Sequence, residues 1–180
     1  MHLSTKKLAF LGLLMAITVL LIILSEVLDF NTLFLLAGAS FCVGIAFRES
    51  GIMFAFGFYF ASLILGFLLA PNKLYCITYS AMGLYLLISE YSYDKLINIK
   101  SPNNRRIFLW IIKFAVFNIM YIPAVVFLPK LFYEGDIFKG ILAAFILVGQ
   151  IALFVYDMAY NYFQRYVWGK VRGNLKLNEK

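Results

Sequence analysis

The sequence predicts an all-α membrane protein, a polytopic helix bundle with six transmembrane helices and both termini in the cytoplasm. Of its 180 residues, 63% are hydrophobic and 14% are charged, and the mean hydropathy is +0.87. Soluble domains keep about a quarter of their residues charged. Here the few charges lie in short clusters between long apolar runs, and the basic clusters are distributed unevenly. This pattern indicates one transmembrane domain over residues 1–180.

Six apolar segments occur along the chain, each ended by polar residues. A spanning helix needs roughly 17–25 residues, so the second and fourth segments are short, and we expect their helices to be little tilted, broken, or partly buried by neighbours. The first resembles a signal peptide after Lys6 and Lys7, but it continues to Leu24 without a small-x-small cleavage site, which favours a retained helix. The expected helices cover about residues 8–24, 33–47, 52–70, 74–89, 107–128 and 137–163.

The lysines and arginines predict the orientation. With the N-terminus inside, the cytoplasmic side holds twelve basic residues, including those of the loop 91–106 and the tail 165–180. The outer loops hold Lys73, Lys130 and Lys139, alongside acidic residues. The positive-inside rule therefore places both termini in the cytoplasm. The tail is expected to lie in solvent near anionic headgroups.

Other function classes lack their usual signatures. The net charge of +7 forms no separate basic arm, so we expect no nucleic-acid partner. Cys42 and Cys76 lie in apolar stretches, where a thiol acts as a small hydrophobe, and neither a metal site nor another cofactor is predicted. No phosphate-cradling loop, zinc-protease motif or nucleophile elbow occurs, so the chain is not expected to be an enzyme or to hydrolyse ATP itself.

Polar residues at membrane depth are the candidates for a binding site, because each needs a partner and usually faces the bundle interior. Helix four presents polar residues on one face, helix five presents two near mid-depth, and helix six presents a glutamine. Together they could line an aromatic cavity open to the outside. Alternatively, the amides hydrogen-bond between helices and the tyrosines form an interfacial belt. The predicted lining is Asn72, Lys73, Tyr75, Tyr79, Asn118, Tyr121 and Gln150.

Lys113 and Asp157 are expected to form a structural ion pair. Helices five and six are joined by a short loop and should be antiparallel neighbours, which places these charges at matching depth. A proton-relay role for Asp157 is the less favoured alternative. Gln150 lies seven residues before Asp157 and therefore shares its helix face.

Helix one carries small residues at Ala9, Gly12 and Ala16, with Gly12-x-x-x-Ala16 as a small-xxx-small step. Small residues let another helix approach closely in lipid, where helix association relies on packing. The step serves either a partner helix or packing inside the bundle.

The opening residues 5–16, with six helices and both termini inside, resemble the substrate-binding S components of energy-coupling factor (ECF) vitamin transporters. In that family an Ala-x-x-x-Ala motif on the first helix docks on a transmembrane coupling subunit, and Gly12 and Ala16 stand at those places here. The resemblance implies a vitamin-like solute captured from outside, with partner ATPases supplying energy. Lys73 would then favour a carboxylate or phosphate on the solute.

The sequence is also compatible with two other functions. One is a six-helix scaffold similar to the MreD family of morphogenesis proteins, which would bind protein partners and have a filled core. The other is an intramembrane enzyme, which would cluster acids or nucleophiles at one depth.

Overall fold

A computed structural model describes residues 5–28, 31–97, 101–127 and 139–175, and these residues are helical almost throughout, with no strand among them. The predicted outer loop around Lys130 and the chain end at 176–180 lie outside the described residues. The helices are α1 (Thr5–Val27), α2 (Thr32–Ser50), α3 (Ile52–Leu69), α4 (Lys73–Leu96), α5 (Pro102–Phe127), α6 (Lys139–Tyr162), a π-helical segment (Phe163–Trp168) and α7 (Gly169–Leu175).

Several helices continue beyond the apolar stretch that predicts them. α2 includes Arg48 and Glu49, and α4 runs through Glu90 to Leu96, while α5 begins at Pro102. The chain passes from α2 to α3 through Gly51 alone, at φ 81°, a left-handed conformation that suits glycine. Asn72 caps α4, because its Oδ1 accepts a hydrogen bond from the Leu74 backbone N–H at 3.0 Å. Hydropathy therefore marks the lipid-facing part of a helix and not its ends.

Five stretches are long and apolar enough to cross a membrane: α1, α2, α3, α5, and the combined α6 to α7 stretch Ala144–Gly173. The described chain is thus a helical protein of multi-pass membrane type. α4 is not among the five, although it is 24 residues long. It packs against α1, α2, α3 and α5, so little of its surface has to match lipid and tyrosines, serines and a glycine are tolerated there.

The core lies between α2 and α4. In the apolar stretch of α2, 61% of residues are buried, compared with 6% for α5. The most completely buried large side chains include Ile22, Leu36, Val43, Tyr79 and Leu86. α5 is therefore a peripheral helix, attached to the core by α4 and α6.

Consecutive helices run antiparallel, so their ends meet at two ends of the bundle. Phe10 of α1 packs on Trp168 with ring centroids 5.5 Å apart, and Trp168 donates a hydrogen bond to Glu49 at the end of α2. We call the end of the bundle that contains these contacts the basic end. It comprises the start of α1, the ends of α2 and α4, the start of α5, and the last part of α6 with α7. At the opposite end, the Lys73 ammonium donates to the Ala70 carbonyl at 2.7 Å, joining the end of α3 to the start of α4.

Candidate functional site

The residues predicted to line a solute cavity occupy two places. Four of them lie at the start of α4, where Asn72 caps the helix and Lys73 bonds carbonyls at the end of α3. Tyr79 is fully buried, and its hydroxyl lies 2.6 Å from the Ser62 Oγ of α3. Tyr75 packs against the same core. Lys73 and Tyr79 therefore join α4 to α3.

The other three join α5 to α6. Gln150 Nε2 donates to Asn118 Oδ1 at 2.8 Å, and the Tyr121 hydroxyl donates to the Phe145 carbonyl at 2.8 Å. Tyr121 also lies so close to Gly149 that a Cβ there would overlap its ring. The side-chain amides of Asn118 and Gln150 thus bond to each other between two helices. This is the arrangement expected if they hold helices together and do not line a cavity. The two cavities described below are lined by other residues.

The small residues of α1 face outward. Ala9, Gly12 and Ala16 are all exposed, and nothing in the described structure lies within 4 Å of where a Gly12 Cβ would stand. The α1 residues that pack inside the bundle, such as Leu11, Leu14 and Ile22, lie on another face. The described chain leaves this small-residue face open to a neighbouring helix.

Three buried carboxylates gather at the basic end, and each is compensated by a cation. Asp157 Oδ1 lies 2.5 Å from the Lys113 Nζ and accepts from the Tyr85 hydroxyl at 3.2 Å, while Oδ2 accepts from Asn161 at 3.0 Å. The side chains of Lys113 and Asp157 are only 14% and 5% exposed. Since an isolated charge is costly inside a membrane, this lysine and aspartate make each other tolerable there.

The second carboxylate, Glu90, connects α2, α4 and α6. Its two oxygens accept a bidentate pair of hydrogen bonds from Arg48, at 2.6 Å and 3.0 Å. The Tyr160 hydroxyl also donates to Glu90, at 2.7 Å, and accepts from Gln164 Nε2 at 3.0 Å. A fork-to-fork arginine and carboxylate contact fixes direction as well as distance. The cluster therefore sets the relative position of three helices.

The third carboxylate, Glu49, holds the C-terminal part of the chain. Its Oε1 accepts a hydrogen bond from the Trp168 indole N–H at 3.1 Å and forms an ion pair with Arg172, whose Nε lies 3.0 Å away. Glu49 Oε2 is buried and has no hydrogen-bond partner among the described residues. Residues predicted to form a solvated tail from residue 165 onward thus fold into the π-helical segment and α7, as far as Leu175.

The π-helical segment Phe163–Trp168 supports this arrangement. Buried residues follow one another in steps of four at Tyr160, Gln164 and Trp168. A step of four overshoots an α-helical turn of 3.6 residues, and a wider π turn takes up that excess. Such turns occur frequently at functional sites. Here the turn keeps Tyr160, Gln164 and Trp168 directed toward the bundle.

Two neighbouring cavities open beside this cluster. A polar cavity of about 380 Å³ is lined by Arg48, Ser89, Glu90, Tyr93, Leu109, Lys113, Tyr160, Asn161, Gln164 and Arg165. A more apolar cavity of about 320 Å³ is lined by Trp110, Phe154, Asp157, Met158, Asn161, Tyr162, Arg165 and Tyr166. They share Asn161 and Arg165, so they adjoin each other beside α5 and α6, and we call the two cavities together the amphipathic groove.

Sequence reasoning identified the Lys113 and Asp157 contact but not the Glu90 cluster. Arg48 and Glu49 mark a break between apolar segments, and Glu90 marks the end of one, so all three were assigned to the boundaries of spans. The available signal was that an acid at membrane depth requires a basic partner. Arg48 was a candidate, because α2 and α4 end on the same side.

No protein-family model, curated protein sequence or solved structure matches this chain. The described residues contain no group of three or more histidine, cysteine, aspartate or glutamate side chains that could hold a metal ion.

Proposed function

We propose that the chain crosses the plasma membrane of a prokaryotic cell six times, with both termini in the cytoplasm. α4 supplies the sixth crossing, because it extends from the Ala70 contact at one end of the bundle to Arg48 at the other. The basic end, which carries most of the arginines and lysines, is then cytoplasmic. Reporter tags at the two termini should both respond to cytoplasmic reagents, and opposite responses would disprove the topology.

Within that topology, we propose a non-catalytic, solute-binding subunit of an ECF-type importer. The observation that carries this function is the open face of Ala9, Gly12 and Ala16 on α1. Leucine at these positions would be equally compatible with contact to lipid, whereas small residues allow a second helix to approach the backbone. A transmembrane coupling subunit docked there would link the chain to ATPases, which supply the energy that this chain has no motif to generate.

The solute would enter from outside at the opposite end. Its proposed contacts are Asn72, Lys73, Tyr75 and Tyr79 from α4 with Asn118, Tyr121 and Gln150 from α5 and α6. Binding would have to exchange the Asn118 and Gln150 hydrogen bond for contacts with the solute. The peripheral position of α5 supports this proposal, because a weakly buried helix can move at lower cost than a central one.

The docking face is tested by replacing Gly12 with leucine. We expect Gly12→Leu to abolish co-purification with the coupling subunit and its ATPases, because the branched side chain separates the two helices. Gly57→Leu on α3 is the matched control, since Gly57 is also a helical glycine with nothing within 4 Å of its Cβ position. Equal retention of partners by both variants would remove the basis of the proposal.

A second candidate function is a scaffold that binds protein partners, similar to the MreD family. The hydrogen bonds that Tyr79, Asn118 and Gln150 make within the bundle favour it, because they fill space that a solute would need. Thermal-shift screening against vitamins and their precursors separates the two functions. A bound solute at about 100 times its dissociation constant should stabilise the protein by roughly 2.7 kcal/mol, whereas a scaffold should respond to none.

A further inference from the structure

The amphipathic groove between α5 and α6 has the chemistry of a lipid site. Its polar cavity is lined by three cations, Arg48, Lys113 and Arg165, and by one acid, Glu90. Asp157, in the wall of the apolar cavity, compensates Lys113. Glu90 compensates Arg48. Arg165 has no acidic partner within 4 Å among the described residues, so the groove keeps a net positive charge.

A further cation lies near the rim. The Arg105 guanidinium carbon is 5.9 Å from the ring centroid of Tyr93, which lines the polar cavity. The guanidinium of Arg48 uses Nε and Nη2 for Glu90, and the Arg48 side chain remains 36% exposed. An anion entering the polar cavity would therefore meet arginine donors on more than one side, the arrangement that suits a phosphate.

The cavity also contains an unused acceptor. Gln164 is 5% exposed, its Nε2 donates to Tyr160, and its Oε1 has no hydrogen-bond partner in the part of the chain that the structure describes. A buried polar atom without a partner costs free energy, and a ligand hydroxyl could satisfy it. The π-helical segment that contains Gln164 and Arg165 brings the free acceptor and the free cation to the same cavity.

The apolar cavity supplies the other half of the site. Trp110 and Phe154 stack with centroids 5.8 Å apart and, with Met158, form a wall suited to an acyl chain. Both cavities share Arg165, so a molecule with a phosphate headgroup and a hydrocarbon chain would fill them together. A free phosphate ester would occupy only the polar cavity.

We propose that this groove binds an anionic phospholipid whose headgroup combines a phosphate with a free hydroxyl, as in phosphatidylglycerol. The phosphate contacts Arg165 and Arg48, the hydroxyl donates to Gln164 Oε1, and one acyl chain lies along Trp110 and Phe154. This site is distinct from the proposed solute site and does not depend on it. In the proposed topology it faces the cytoplasmic leaflet.

The test compares the melting temperature of the whole protein in nanodiscs of three compositions. The discs are made of phosphatidylcholine alone, or of phosphatidylcholine with equal fractions of either phosphatidylglycerol or phosphatidylserine. We expect the highest melting temperature with phosphatidylglycerol, because phosphatidylserine carries the same net charge without the hydroxyl. Equal melting temperatures in the two anionic compositions would disprove hydroxyl recognition, and equal values in all three would disprove the site.

A variant pair separates the groove from general surface charge. Arg165→Gln should weaken phosphatidylglycerol binding by about tenfold, because a charge-assisted hydrogen bond to the phosphate is lost together with the charge. Lys170→Gln removes the same charge from exposed α7 outside both cavities and should have a smaller effect. Equal losses would overturn the proposal. Stabilisation by soluble glycerol phosphate in phosphatidylcholine discs would assign the polar cavity to a free ester and overturn the lipid assignment.

Discussion

The two ends of the bundle differ in how their polar groups are used. At the basic end, Asp157, Glu90 and Glu49 each contact at least two side chains through hydrogen bonds or ion pairs, and together these contacts connect α2, α4, α5, α6 and α7. In the opposite half, the hydrogen bonds from Gln150 to Asn118 and from Tyr121 to the Phe145 carbonyl join α5 to α6. Polar contacts at the basic end connect five helices to one another, whereas those in the opposite half connect helices two at a time. We expect any helix that moves to do so in the half opposite the basic end, since fewer interactions must break there.

The largest expected effect is at the Lys113 and Asp157 pair. Asp157→Asn leaves the Lys113 ammonium buried without a counter-ion and should lower the free energy of unfolding by about 3 kcal/mol. Equilibrium denaturation in a fixed lipid or detergent checks this value. The double variant Lys113→Met, Asp157→Asn should recover much of the loss, because it removes the unpaired charge. An unchanged stability in Asp157→Asn would show that this pair does not hold the basic end.

The second prediction tests the packing around Glu90. A Cβ on Gly44 would overlap the Tyr160 hydroxyl, so Gly44→Ala must displace the residue that bonds both Glu90 and Gln164. We expect a loss of about 2 kcal/mol, within the usual range for overpacking. Gly57→Ala is the control, because its Cβ meets nothing within 4 Å. It should be neutral or slightly stabilising, since alanine favours helix more than glycine does.

The third prediction concerns a glycine-to-alanine substitution in the half of the bundle opposite the basic end. A Cβ on Gly149 would overlap the ring of Tyr121, yet Tyr121 lies on the peripheral helix α5. We therefore expect Gly149→Ala to cost about 1 kcal/mol, less than Gly44→Ala, because α5 can shift to relieve the overlap. Thermal unfolding of the two variants side by side makes the comparison. A larger loss for Gly149→Ala would reverse the proposed order of rigidity.

The smallest expected effect is at Asn118. Asn118→Leu removes the partner of Gln150, and hydrogen bonds between helices in membranes contribute about 0.6 kcal/mol on average. A double-mutant cycle with Gln150→Leu would isolate the interaction free energy of the two amides. A coupling of several kcal/mol would mean that the opposite half is as firmly held as the basic end.

The sequence predicted the helical membrane class because hydropathy reports directly on contact with lipid. It also anticipated the Lys113 and Asp157 pair, since a short connection fixes the depth of two antiparallel helices. To predict the Arg48 and Glu90 contact, one would have to know that α2 packs on α4. That packing depends on side-chain shape along both helices. Tyr79 illustrates the same difficulty: its position on a polar face indicates an interior site, but only packing shows that its hydroxyl pairs with Ser62.

The chain has two tryptophans, and they occupy opposite surroundings. Trp168 is 7% exposed, between Phe10 and Glu49, whereas Trp110 lines the groove that faces lipid. Brominated acyl chains quench indole emission by contact, so they should quench Trp110 and spare Trp168. Trp168→Phe would leave a single optical reporter of groove occupancy, and Trp110→Phe a single reporter of the contact between the first and last helices. The protein thus carries native probes for each region.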